Sequence, residues 1–138
     1  MRIAFALPRP DPAQGGNSLL YAGRMAACLR QLGHAAEVMQ DDDPTFPPGA
    51  VPVIDGLLLP VLLPRLDELV RRDAVALEFH ASARAGRDPA ARPGVQAAER
   101  TMLPALRRVV ATSQPVADRL AELYGLSRVR VLQPGLPD

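Results

Sequence analysis

His80 stands at the close of a short apolar run, Ala74 to Phe79, as the chain's leading candidate for chemistry, with Glu78 two residues before it. Side chains alternate along a strand, so the two share a face. A neutral imidazole offers one donor and one acceptor, which suits a polyol hydroxyl; the plain alternative is a strand-end histidine bound to a backbone carbonyl. Glutamate and histidine also make two metal ligands, but no third is apparent, and zinc needs more. Gly15-Gly16-Asn17 is a second candidate. Glycines permit close backbone approach, and a helix opening at Asn17 would turn free N–H groups toward an anionic or hydroxyl-rich ligand. Ser82 and Ser113 carry hydroxyls, but neither lies in a G-x-S-x-G elbow. Ser113 is also suited to capping a helix. Arg84, Arg87 and Arg92 fill a loop without apolar periodicity. They would suit an acceptor-side anion site or acidic lipid headgroups, although loop arginines are more often simply solvated. Asp41, Asp42 and Asp43 run together ahead of prolines with no spaced partner, as a solvated turn does and a calcium loop does not.

Those residues need elements to hold them. Arg2 to Leu7 reads as a strand buried on both faces, and Pro8, Pro10 and Pro12 stop it. Ser18 to Leu32 follows as a helix with Leu19, Ala22, Met25, Ala26, Leu29 and Leu32 on one face. Gly33 ends it, and Ala35 to Met39 is the next strand. His34 beside that helix end has a structural role with the dipole. Cys28 is expected as a packing residue. Val53 to Leu59 reads as a third strand stopped by Pro60. Leu63 to Arg72 reads as a crossover helix with Leu66, Leu69 and Val70 inward. Ala74 to Phe79 is the fourth strand. A helix from Val95 to Leu106 leads to a strand at Val109 to Thr112. A helix capped by Ser113 runs to Tyr124 and stops at Gly125, before a last strand at Val129 to Leu132. Strand and helix alternate throughout. The expected fold is α/β, a doubly wound, mostly parallel Rossmann-like sheet of about six strands with helices on both faces.

Composition narrows the function. The chain has 138 residues, 48% hydrophobic and 22% charged, with net charge +1. That is ordinary for one globular domain, and no global field recruits nucleic acid. All 16 basic residues are arginine, which excludes a Walker A lysine and a lysine base or Schiff base from these residues. A single cysteine forms no internal disulfide, in keeping with a reducing cytoplasmic setting. The most apolar stretch, Val51 to Leu63, is broken by Pro52, Asp55, Gly56 and Pro60 and falls short of the roughly 20 residues a membrane span needs.

Taken in order, several segments resemble the N-terminal domain of GT-B glycosyltransferases, in particular retaining family 4 (glycosyl transferases group 1). They are the Gly15-Gly16 loop, Tyr21 early in the helix, and the Leu29 to Val38 pattern LxxLGHxxEV. Near the other end come Glu99-Arg100, Ser113, Leu120, Tyr124-Gly125, Val131, and Pro134-Gly135 with Asp138. Gln133 and Pro137 depart mildly from the family pattern. The resemblance implies a Rossmann-like acceptor-side domain over 1–132 and, over 133–138, the start of a linker to a donor-binding domain. It implies transfer of a sugar from a nucleotide-diphosphate sugar to an acceptor hydroxyl, on a sugar or a lipid-linked acceptor, with retention. It gives His80 a hydroxyl of the transferred sugar. Donor and acceptor contacts fall to Gly15, Gly16, Asn17, Ser113, Arg84 and Arg87. No metal and no cofactor are expected, and a peripheral contact at the inner membrane face would go through the arginines.

Two other classes stand beside it. A receiver-like or partner-binding α/β domain would want an acidic pocket and a lysine near the last strand, and the chain has no lysine. A dinucleotide-dependent oxidoreductase would want G-x-G-x-x-G and an acid closing the second strand. Here there is only Gly15-Gly16, with Asp41 as the nearby acid.

Overall fold

A computed structural model describes residues 1–9, 17–79 and 94–132, with the backbone alone at Asn17 and Ser18. Six strands, β1 (Arg2–Leu7), β2 (Ala35–Gln40), β3 (Ala50–Asp55), β4 (Val75–Glu78), β5 (Arg108–Ala111) and β6 (Val129–Val131), form one sheet. Their order is β2-β1-β3-β4-β5-β6, and every neighbouring pair is parallel. Among the described residues the α-helices are α1 (Asn17–Gln31), α2 (Leu59–Leu62), α3 (Leu66–Arg71), α4 (Val95–Met102) and α5 (Gln114–Tyr124). The expected parallel α/β sheet of six strands is present.

Alternation along β1 divides the core in two. Ala4 and Ala6 belong to a cluster with Leu58, Leu62 and Leu69, Ala98 and Met102 of α4, and Ala117 and Leu120 of α5. Ile3, Phe5 and Leu7 belong to another, with Tyr21, Ala22 and Ala26 of α1. Among the described residues, helices α2 to α5 thus cover one face of the sheet, and α1 alone the other. Each fully buried leucine on the crowded face contributes about 1.5–3 kcal/mol by leaving water.

Several expected boundaries are corrected. Strand β3 begins at Ala50 and stops at Asp55; Gly56–Leu58 is a 3₁₀ turn and Leu59–Leu62 already helix. Pro60 therefore does not terminate a strand but sits in the first turn of α2, where its missing N–H costs nothing. Pro52 lies within β3, one residue before its ladder with β4 begins at Val53, a position that tolerates a residue without a donor. The crossover after β3 is a run of single turns rather than one helix over 63–72. Pro64 opens a second 3₁₀ turn ahead of α3, and Val70 is 40% exposed. Helix α4 ends at Met102, short of Leu106.

On α1, Leu19 and Leu32 are exposed rather than inward. The small Ala22 and Ala26 let the helix seat on β1, and Tyr21, Met25 and Leu29 complete its inner side. Cys28 is exposed, not a packing residue. After Gln31 the chain closes a Schellman motif: the His34 N–H bonds the Leu29 carbonyl, the Gly33 N–H bonds that of Arg30, and Gly33 has φ +93. The aspartate run is held in a turn, as expected. Asp41 accepts from the Asp43 N–H at 3.1 Å, and Asp42 from the Arg9 N–H at 3.0 Å.

Candidate functional site

In open α/β sheets ligands bind outside the C-terminal strand ends, where the strand order reverses. Here the chain passes from β1 outward to β2 and then resumes on the other side of β1 with β3. Leu7, Asp55, Glu78 and Ala111 end four adjacent strands on that edge. The Thr112 N–H donates to the Glu78 carbonyl at 3.1 Å, tying the exit of β5 to that of β4. Ser113 follows with extended backbone and caps α5, its Oγ accepting from the Val116 N–H at 3.4 Å. Its hydroxyl is thereby engaged with the helix end, half-buried. On the other face of the sheet the Phe79 ring meets Tyr21 edge-on, centroids 5.3 Å apart.

Beneath this edge three acids are buried: Asp55 and Glu78 at 2% exposure and Glu99 at 0%. The Glu78 carboxyl lies beside Glu99, and the Tyr124 hydroxyl donates to Glu99 Oε1 at 2.8 Å. Burial foremost, then the neighbouring Glu99 and the charge of Asp55, hold the Glu78 carboxyl well above the usual carboxylate range. Asp55 accepts from the Leu57 N–H at 3.0 Å and so caps the turn that follows β3. Gly56 makes room for the group: a Cβ there would collide with the Glu78 carboxyl oxygens. Shut away from solvent, the Glu78–Glu99 pair fastens α4 and, through Tyr124, α5 to the end of β4. Their carboxyls lie beneath the C-terminal strand edge.

Of the residues singled out for chemistry, the structure brings Glu78 and Ser113 to the C-terminal edge. Gly15, Gly16, His80, Ser82, Arg84, Arg87 and Arg92 lie outside the described residues, and Asn17 opens α1. Among the described residues no group of three acids, histidines or cysteines could hold a metal ion, and no helix is long and apolar enough to cross a membrane. The carboxyl pair had a signal in the sequence. Glu99 falls in the stripe Val95, Ala98, Glu99, Met102, the inward face of α4, where an acid needs a buried partner.

An all-parallel six-stranded sheet with helices on both faces and its switch point between β1 and β3 defines a Rossmann-like α/β domain. No family model, curated protein or solved structure matches the chain.

Proposed function

We propose that this chain is the acceptor-side domain of a retaining glycosyltransferase of two α/β domains. It transfers a sugar from a nucleotide-diphosphate sugar to the hydroxyl of a sugar or lipid-linked acceptor. The observation that carries this most is the strand order. An all-parallel sheet reversing between β1 and β3 opens its crevice at the edge where the loops after β1, β4 and β5 begin. Support also comes from the segments that resemble family 4: Leu29 to Val38 spans the end of α1, its glycine stop and β2, and Glu99 to Gly125 spans α4, β5 and α5.

In this reading Gly15, Gly16 and Asn17 face the diphosphate and acceptor with backbone N–H groups at the start of α1. His80 hydrogen-bonds a hydroxyl of the transferred sugar. Ser113 orients the N-terminus of α5 toward the crevice, and Arg84 and Arg87 attract an anionic acceptor or a membrane surface. A donor-binding domain in the same protein grips the nucleotide. Catalysis is then positional and electrostatic: donor and acceptor are held together while charge developing on the leaving diphosphate is stabilised.

Amide chemical shifts of the 138-residue chain, followed on titration with UDP- and GDP-sugars and with NAD, test this. Nucleotide sugars should move Arg9, Phe79, Thr112 and Ser113 with millimolar or weaker affinity. Micromolar NAD binding, or sugar-induced shifts confined to the N-terminal strand ends, would overturn it.

A further inference from the structure

Both faces of a parallel sheet are normally covered, yet α1 is the one described helix on its side. Between α1 and the β3–β6 half of the sheet lies a cleft of about 520 Å³, within the range of small-molecule sites, ~300–1,000 Å³. Its floor takes Phe5, Val53, Leu77 and Val110 from four adjacent strands, and its wall is Met25 and Leu29 of α1. The Tyr21 hydroxyl closes one end by donating to the Leu132 carbonyl at 2.6 Å. Burial raises the Tyr21 phenol above its ordinary range, so it stays a donor.

The charges on the cleft are nearly all of one sign. Arg107 and Arg108 stand at the N-terminal end of β5, and Arg130 is in register with Val110 on the neighbouring strand. Arg107 pairs with Asp73, the one acid among the described lining residues, at 3.4 Å. Arg108 and Arg130, both exposed, make no ion pair among the described residues. The floor is apolar: Phe5, Leu77 and Val110 are buried, while Val51, Val53 and Val75 are half-buried. An apolar floor bordered by cationic side chains suits a hydrocarbon chain that carries an anionic head.

We propose that this cleft binds a single-chain anionic amphiphile, its hydrocarbon chain along Phe5, Val53 and Leu77 and its head on Arg108 and Arg130. The site is separate from the strand-end edge and stands independently of the glycosyl-transfer proposal. Carboxylate and phosphate heads share the required chemistry.

Calorimetry of the 138-residue chain with dodecanoate, dodecyl phosphate and dodecyltrimethylammonium, each below its micelle concentration, is the test. At least one anion should bind once per chain with submillimolar Kd, at least tenfold tighter than the ammonium of equal tail, and the tighter anion names the head. Arg108→Gln with Arg130→Gln, two exposed positions, should erase the tenfold preference with an unchanged melting temperature. Val53→Trp on the floor, and separately Met25→Trp on the wall, should block binding in chains that still melt cooperatively. Equal affinity for both head charges, or no saturable binding, would overturn the proposal. So would sedimentation showing a dimer that Val53→Trp breaks, because the cleft would then belong to a second copy of the chain.

Discussion

The buried Glu78 carboxyl is the most consequential single feature among the side chains. Glu78 faces Glu99 from α4 and Asp55 from β3, while Tyr124 from α5 reaches Glu99. Its carboxyl titrates well above the usual range when folded, and near ~4.3 when unfolded. The unfolded chain therefore releases this proton at lower pH than the folded one. The group's contribution is fully present below the unfolded value and is lost as pH rises toward the raised folded value. The slope approaches about 1.4 kcal/mol per pH unit inside that window. Glu78→Gln keeps the shape and a hydrogen-bond donor but removes the titration. It should melt above the parent at neutral pH and match it near pH 4, with about 2–4 °C gained per kcal/mol for a chain of this size. Thermal melts of both proteins from pH 4 to 8 check this, and a parent profile flat over that range would show that the Glu78 carboxyl is not raised on folding.

At the level of elements, the turn out of β3 is where geometry is tightest. Asp55 caps the 3₁₀ turn, and Gly56 lets the chain pass the Glu78 carboxyl without collision. Glu78 cannot swing aside cheaply, because it is buried beside Glu99. Gly56→Ala should therefore cost about 1–3 kcal/mol, the usual penalty of overfilling a packed interior. The shorter acid in Glu78→Asp withdraws the carboxyl, so the same glycine change should cost less in that background. Denaturant unfolding of the four proteins in a double-mutant cycle measures the difference. Equal costs in both backgrounds would place the collision elsewhere. Another glycine with a clear duty is Gly33, whose positive φ lets α1 end in time for β2 to pair with β1.

For the whole molecule, the long-range ladders of the sheet and a core on each face give the described residues the anatomy of one folding unit. The 138-residue chain should unfold in one cooperative transition. On the proposed function it should nonetheless fail to transfer sugar, because the grip on the donor diphosphate belongs to a donor-binding domain outside these residues. The crevice edge alone offers a few hydrogen bonds, so affinity for a free nucleotide sugar should be about millimolar or weaker, near −4 kcal/mol or less in magnitude. Calorimetry with UDP- and GDP-sugars beside a transfer assay checks both halves. Micromolar affinity or measurable turnover would mean that a complete site lies within these residues.

Periodicity and breakers were enough to read the parallel α/β class, because buried strands appear as short apolar runs and glycine stops such as Gly33 and Gly125 are local signals. Ser113 was legible as a cap for the same reason: the bond it makes lies within its own helix turn. Local signals misled where tertiary packing overrode them. The run VIDGLLL suits a strand by composition, but the chain leaves the sheet at Asp55 because the following leucines are needed under the helical face. Leu19 and Leu32 fit the stripe of α1, yet α1 meets the sheet mainly through Tyr21, Ala22 and Ala26. The Glu78–Glu99 pair and the arginine-rimmed cleft depend on which strands and helices become neighbours. Glu78 and Glu99, 21 positions apart in the chain, bring their buried carboxyls together, and Tyr21 reaches Leu132 across the fold. No local pattern encodes such proximities; the order of strands in the sheet decides them.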